Sequence, residues 1–168
     1  MNNSATDYHV LESIGVIHTP YTDKAPHQSH IDIDGEFILV LNSKYTSGLL
    51  FLERFKYLYV IYYLDRIIRD HQLLVIPPLS KNKTVGVFAS RSPNRPNPIG
   101  LSVVRIKKIV NNRIYISGMD AFDGTPILDI KPYIKDLDSK NDANYGWIDT
   151  QENLKHLDRH IKGIPHKH

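Results

Sequence analysis

Cysteine is absent from the 168 residues. That excludes a disulfide scaffold, a thiol nucleophile and any cysteine-ligated zinc or iron–sulfur centre, and it fits a reducing compartment. No apolar run approaches the roughly 20 residues that span a bilayer as a helix. The polar stretch Met1 to Asp7 lacks the apolar core of a secretory signal. A cytoplasmic protein without a membrane partner is therefore expected. No glycine-rich phosphate loop follows a strand, so a Rossmann-type nucleotide site has no support. Internal repeats and low-complexity segments are missing as well. What is there is ordinary globular material, 41% hydrophobic and 23% charged. It is one domain's length, enough for a core that takes about two-thirds of the unfolded surface out of water.

Charge is nearly balanced overall but unevenly placed. Residues 1–53 carry two basic and seven acidic side chains, residues 54–113 twelve and two, and residues 114–168 seven and nine. The basic middle segment suggests a face for phosphates or nucleic acid; the plainer reading is outward, solvated strand residues. Short β-branched and aromatic runs between turn residues predict strands near Leu11–His18, Phe37–Leu41, Tyr57–Leu64, Gln72–Ile76, Thr84–Ala89, Gly100–Val110, Arg113–Met119 and Ile127–Ile130. Asn111-Asn112 reads as a two-residue hairpin turn. Helical spacing of Tyr45, Leu49, Leu52 and Phe55 predicts a helix over Ser43–Arg54, and Leu154, Leu157 and Ile161 suggest a second over Thr150–Ile161. Many short strands and few helices favour a mainly β fold: a small closed or nearly closed barrel with one or two short helices. Residues 1–133 form the expected barrel domain and residues 134–168 an extended C-terminal tail. Within that tail, Tyr133–Asp149 reads as a polar surface connection anchored by Trp147. His156 and His160 are four apart, but no carboxylate or further histidine completes a site, so a solvated end without metal is expected.

The most informative segment is Val85–Leu101. Between two strands it holds Arg91 and Arg95, Asn94 and Asn97, and Pro93, Pro96 and Pro98. Proline fixes φ, so this loop is stiff and holds its guanidinium groups in set directions. Such planar forks suit carboxylate or phosphate. A second segment, Gly118–Tyr133, contains the turn pair Asp123-Gly124 and then Thr125-Pro126. Asp120, Asp123 and Asp129 are ligand acceptors, turn-stabilising side chains or partners for the two arginines; composition favours a turn role for Asp123. A third, Ile14–Tyr21 followed by Ala25–Ser29, brings His27 and Gln28 into a proline-flanked loop suited to ligand contact.

These segments, in this order and spacing, resemble the TsaA-like family of β-barrel methyltransferases, also called the TrmO family. The matching stretches are Ile14–Tyr21, Phe55–Tyr63, Gly86–Leu101 and Asp123–Tyr133, and the resemblance covers about residues 10–133. The run Arg91–Gly100 and the pair Asp-Gly-Thr-Pro and Asp-Ile-Lys-Pro-Tyr within Asp123–Tyr133 are its specific motifs. The resemblance implies a homodimeric barrel that binds S-adenosylmethionine and methylates N6 of threonylcarbamoylated adenine at position 37 of tRNA. It implies cofactor contacts at Pro26, His27, Gln28, Asp65, Arg66, Arg91, Leu101, Ala121, Phe122, Asp123, Gly124 and Thr125. Asp65-Arg66 stand where some members have His-Gln.

For such a transfer a group must take the acceptor's proton, and Asp123 and His27 are the protein candidates. Arg91 would meet a carboxylate, and Arg95 with Lys81 and Lys83 would follow tRNA phosphates. Tyr57, Tyr59, Tyr62 and Tyr63 stack a splayed base or, as is commoner for alternating tyrosines, pack in the core and dimer interface. Two other readings stand beside this one: a same-fold methyltransferase with a different acceptor, and a non-catalytic module that binds S-adenosylmethionine or RNA.

Overall fold

Strict alternation of inward and outward side chains builds this molecule. In β3 (Tyr57–Tyr63), Leu58, Val60 and Tyr62 are buried while Tyr57, Tyr59, Ile61 and Tyr63 lie on the other face. The same period of two runs through β1 (Gly15–His18), β7 (Arg113–Ile116) and the first half of β6 (Ile99–Val110). A computed structural model describes residues 9–26, 35–67, 72–80 and 83–148, together with Leu154 and Leu157. With β2 (Ile38–Leu41) and β8 (Pro126–Pro132), the strands close into a barrel in the order β1-β2-β7-β6-β3-β8. Every neighbouring pair is antiparallel. Closure leaves the main barrel no unpaired edge. Ile17, Leu39, Leu58, Val60, Val104, Ile114, Ile116, Met119 and Ile127 fill its interior, all fully buried. Each such side chain contributes roughly 1.5–3 kcal/mol by leaving water.

Asn111-Asn112 make the β6–β7 hairpin turn, with Asn111 at φ 55°. The Asn112 side chain donates to the Leu41 carbonyl at 2.6 Å, tying the turn to β2. A separate ribbon pairs β4 (Leu74–Val75) with β5 (Val85–Gly86). The expected strand Thr84–Ala89 stops at Gly86, because Val87–Ala89 turns as a 3₁₀ helix into the proline-rich loop.

The expected helix over Ser43–Arg54 is instead two 3₁₀ segments, Ser43–Leu49 and Leu52–Arg54. Ser43, Thr46, Ser47 and Gly48 favour local bonds over an α-helix, as when the Thr46 hydroxyl donates to the Ser43 carbonyl at 2.8 Å. Phe51, at φ 68°, breaks the run. After β8 comes one α-helical turn, α1 (Lys135–Asp138), and Trp147 then donates its indole N–H to the Ala89 carbonyl at 2.6 Å. That bond anchors the polar connection beside the loop bearing Arg91. Of the second expected helix, Leu154 and Leu157 alone are described, both helical and half-buried; His156 and His160 lie outside the described residues. No helix among the described residues is long and apolar enough to cross a membrane.

Candidate functional site

At one end of the barrel, the last residues of β3, the first of β6, the proline-rich loop and the segment before β8 surround a groove of about 870 Å³. Small-molecule sites occupy roughly 300–1,000 Å³. Pro26, Asp65, Arg66, Arg91, Arg95, Leu101, Ala121, Phe122 and Thr125 all line it. Residues separated by up to a hundred positions thus converge on one groove. Asp123, Gly124 and Lys83 do not line it, and His27, Gln28 and Lys81 lie outside the described residues.

The two arginines of the stiff loop differ. Arg91 is exposed and has no hydrogen bond or ion pair among the described residues, so its fork is available to the groove. Arg95 turns back: its Nη1 donates to the Ser90 and Ser92 carbonyls, both at 3.2 Å. The Ser90 hydroxyl donates to the Val87 carbonyl at 3.0 Å and accepts from the Ser92 N–H at 3.2 Å. Arg95 therefore holds the loop that presents Arg91.

Asp123 is a turn residue in the full sense. Its Oδ1 accepts the Thr19 N–H at 3.2 Å and sits 3.0 Å from His18 Nδ1. Burial alone would raise its pKa, but His18, the Thr19 N–H and nearby Arg66 outweigh it and hold the carboxyl below its ordinary value. Gly124 takes φ 82°, which only glycine adopts freely, and its N–H donates to the Ile17 carbonyl at 2.9 Å. The Thr19 hydroxyl adds a bond to the Ala121 carbonyl at 2.9 Å.

Arg66 acts as a clasp. Its Nη1 donates to the Thr22 carbonyl, its Nη2 to the Asp123 carbonyl at 2.8 Å, and the guanidinium stacks 4.7 Å from the Phe122 ring centroid. One side chain thereby joins the end of β3, the segment after β1 and the Asp-Gly-Thr turn at the groove's rim. Nothing in the sequence marks those three partners.

Sequence reasoning also left Asp120 undecided. It lies on the groove wall, and its Oδ1 accepts the Ser102 hydroxyl at 3.1 Å and the Tyr62 hydroxyl at 3.4 Å. The two hydroxyls are themselves 3.2 Å apart. Burial raises the Asp120 pKa above the ordinary carboxylate value, and its own backbone N–H, Ser102, Tyr62 and Arg91 offset only part of that. Burial and the adjacent Asp120 also push the Tyr62 phenol well up. The signal in the sequence was a carboxylate near a signature turn; its partners stand eighteen and fifty-eight residues away.

Comparison with known proteins gives a consistent picture. The model of the tRNA-methyltransferase O N-terminal domain matches residues 16–139. A probable S-adenosyl-L-methionine-binding protein of Archaeoglobus fulgidus is 43% identical over 141 residues, covering 83% of this chain and 38% of that protein. The tRNA (adenine(37)-N6)-methyltransferase of Escherichia coli is 36% identical over 147 residues, covering 82% of this chain and 63% of the enzyme. The crystal structure of TrmO from Pseudomonas aeruginosa superposes with a TM-score of 0.68 at 30% identity, covering 83% of this chain and 62% of that one. The chain thus spans less than two-thirds of each of these three relatives. Its fold, signature loop and groove-side turn sit within the matched residues, and the chain belongs to the tRNA-methyltransferase O N-terminal domain family.

Proposed function

We propose that the protein is an S-adenosylmethionine-dependent methyltransferase acting on N6 of threonylcarbamoylated adenine at position 37 of tRNA. The observation that carries this reading is the convergence of Pro26, Arg91, Leu101 and Phe122, from four separate segments, on one groove in a chain of this family. The names of the relatives support the same donor and the same class of acceptor.

The groove's residues suit that cofactor. The free Arg91 fork matches a carboxylate. Asp65 offers negative charge to an ammonium centre, and Leu101 with the clasped Phe122 gives apolar surface to a base. The backbone at Pro26, Ala121 and Thr125 completes the expected contacts, with Asp123 and Gly124 shaping the turn behind them. When bound, the cofactor supplies an electrophilic methyl carbon. The chain contributes orientation: a loop stiffened by prolines and closed by Arg95, and a turn fixed by Asp123 and Arg66. Such positioning lowers a displacement barrier substantially.

For tRNA, the groove-side Arg95 is engaged in its own loop, which leaves exposed Lys83 and the outward cations of β6 and β7 to meet phosphates. Arg105, Lys107, Lys108 and Arg113 are all exposed. For the homodimer, the surface that fits is an apolar strip on the outer face of β6. Ile99, Leu101 and Val103 are exposed there and also border the groove, so a second copy would meet the groove's β6 side, with Val103 in register with Tyr59 of β3. A tRNA-modifying role fits a cytoplasmic location.

The test is incubation with methyl-labelled S-adenosylmethionine and tRNA with or without the threonylcarbamoyl group, followed by nucleoside analysis. Methylated nucleoside from modified tRNA alone is expected. Label on another acceptor would favour the same-fold alternative, and cofactor binding without any transfer would favour a binding module.

A further inference from the structure

Methyl transfer to an amide-like nitrogen leaves a proton that some base must take. The titratable groups on the groove wall among the described residues are Asp65, Arg66, Arg91, Arg95, Tyr59, Tyr62 and Asp120. Guanidinium groups hold their protons throughout and cannot serve. Asp65 is exposed to water. Asp123 does not line the groove, and its Oδ1 is committed to Thr19 and His18. Among the described carboxylates, Asp120 alone combines partial burial, a place on the wall and a fixed orientation.

The fixing is specific. Ser102 on β6 and Tyr62 on β3 both aim hydroxyls at the same oxygen, Oδ1, and neither reaches Oδ2. One oxygen is thus held by two strands of the barrel while the second stays outside the hydroxyl network. Gly100 makes this possible: a Cβ there would lie 2.2 Å from the Tyr62 ring, so only glycine lets the ring lie where its hydroxyl meets Asp120.

We propose that the Asp120 carboxylate accepts the proton released by the acceptor nitrogen, with Ser102 and Tyr62 as the positioning residues that hold it. This deepens the methyltransferase reading above and rests on it. As the acceptor N–H bond breaks, its proton goes to Asp120 and its electron pair forms the new N–C bond. The pair of the donor's C–S bond returns to sulfur. Carboxylate, N–H and sulfonium become carboxylic acid, N–methyl and thioether, and charge balances. A general base of this kind contributes about 10²–10⁴-fold in rate.

The electrostatic surroundings fit the role. Burial makes the carboxylate a stronger base than an exposed aspartate, while its own backbone N–H, Ser102, Tyr62 and, last, Arg91 from the proline-rich loop keep it ionisable. Tyr62 from β3 and Tyr21 from the segment after β1 also face it, and both phenols are pushed up, so they stay neutral. On its own segment the nearest other carboxylate, Asp123, is paired with His18.

The experiment compares wild type with Asp120→Asn and Ser102→Ala. It measures S-adenosylmethionine affinity by calorimetry, single-turnover transfer against pH, and the Asp120 carboxyl titration by carbon-13 NMR. Asp120→Asn is expected to keep cofactor affinity within about threefold while transfer falls at least about a hundredfold. The wild-type acid limb should follow an Asp120 titration displaced above the ordinary carboxylate range. Ser102→Ala removes one donor to the carboxylate and should move that limb to higher pH. Asp120→Asn turning over at the wild-type rate and pH profile would overturn the proposal while leaving the methyltransferase reading intact. So would an Asp120 carboxyl that titrates in the ordinary range, or a Ser102→Ala limb that does not move. Wild type that binds the donor but transfers nothing would overturn the methyltransferase reading and the proposal with it.

Discussion

Gly100 shows how one missing side chain shapes the site. It faces Tyr62 across the β3–β6 pair, and the ring occupies the space a Cβ would need. Gly100→Ala forces the ring or a strand to move, at a cost of about 1–3 kcal/mol, and its melting temperature should fall by several degrees. A variant that melts with wild type would contradict this packing. The signature loop that Gly100 closes was legible in the sequence, because prolines and arginines crowd into ten positions and their local physics is strong. Asp120 was not, because its partners Tyr62 and Ser102 meet it only after the barrel closes. Arg66 is similar: its clasp on Thr22, Asp123 and Phe122 is a product of topology. The turn role of Asp123 was legible, since Asp-Gly pairs carry their conformation locally.

Among the elements, β6 does two jobs along its length. Its first half alternates, with Gly100, Ser102 and Val104 inward. The register then shifts between Ile106 and Lys108, so that two residues of β6 oppose one of β7. This bulge leaves both Lys107 and Lys108 exposed. Lys108 stands 4.3 Å from the Tyr115 ring centroid and Arg105 5.5 Å from that of Tyr57. Lys108 is seven residues from groove-lining Leu101, roughly 23 Å along an extended strand. Lys107→Ala with Lys108→Ala should weaken tRNA binding uniformly and reduce the slope of log affinity against log salt by about one for each phosphate that a lysine had neutralised. An unchanged affinity and slope would remove this end of β6 from the RNA surface. The basic segment was visible in the composition, but a strict period of two would have turned Lys108 inward; the bulge was not visible. Conversely, the helical spacing at Ser43–Arg54 misled, since those apolar positions fit two 3₁₀ turns equally well.

For the molecule as a whole, the strand pattern sufficed to predict a small barrel, because alternation and hairpin signals are local. Which surfaces remain to be covered is a property of the closed barrel. Leu101 is 61% exposed and Val103 40%, on the same outer face as Tyr59. Tyr59 and Tyr57 pack against Tyr133 at 5.5 and 6.5 Å between ring centroids, so the tyrosine-rich strand splits between the interior, at Tyr62, and this outer face. If a second copy covers the strip, Val103→Asp should shift sedimentation from dimer to monomer with the circular dichroism of the barrel unchanged. A wild-type protein that sediments as a monomer, or a variant that stays dimeric, would exclude this face.

The groove's function rests on Arg91 holding the methyl donor. Calorimetric titration of wild type and Arg91→Ala with S-adenosylmethionine and its demethylated product tests that directly. Saturable binding of both compounds to wild type is expected, weakened at least about tenfold in folded Arg91→Ala, as befits loss of a charge-assisted bond. Folded wild type that binds neither compound, or an Arg91→Ala variant that binds both as wild type does, would contradict it.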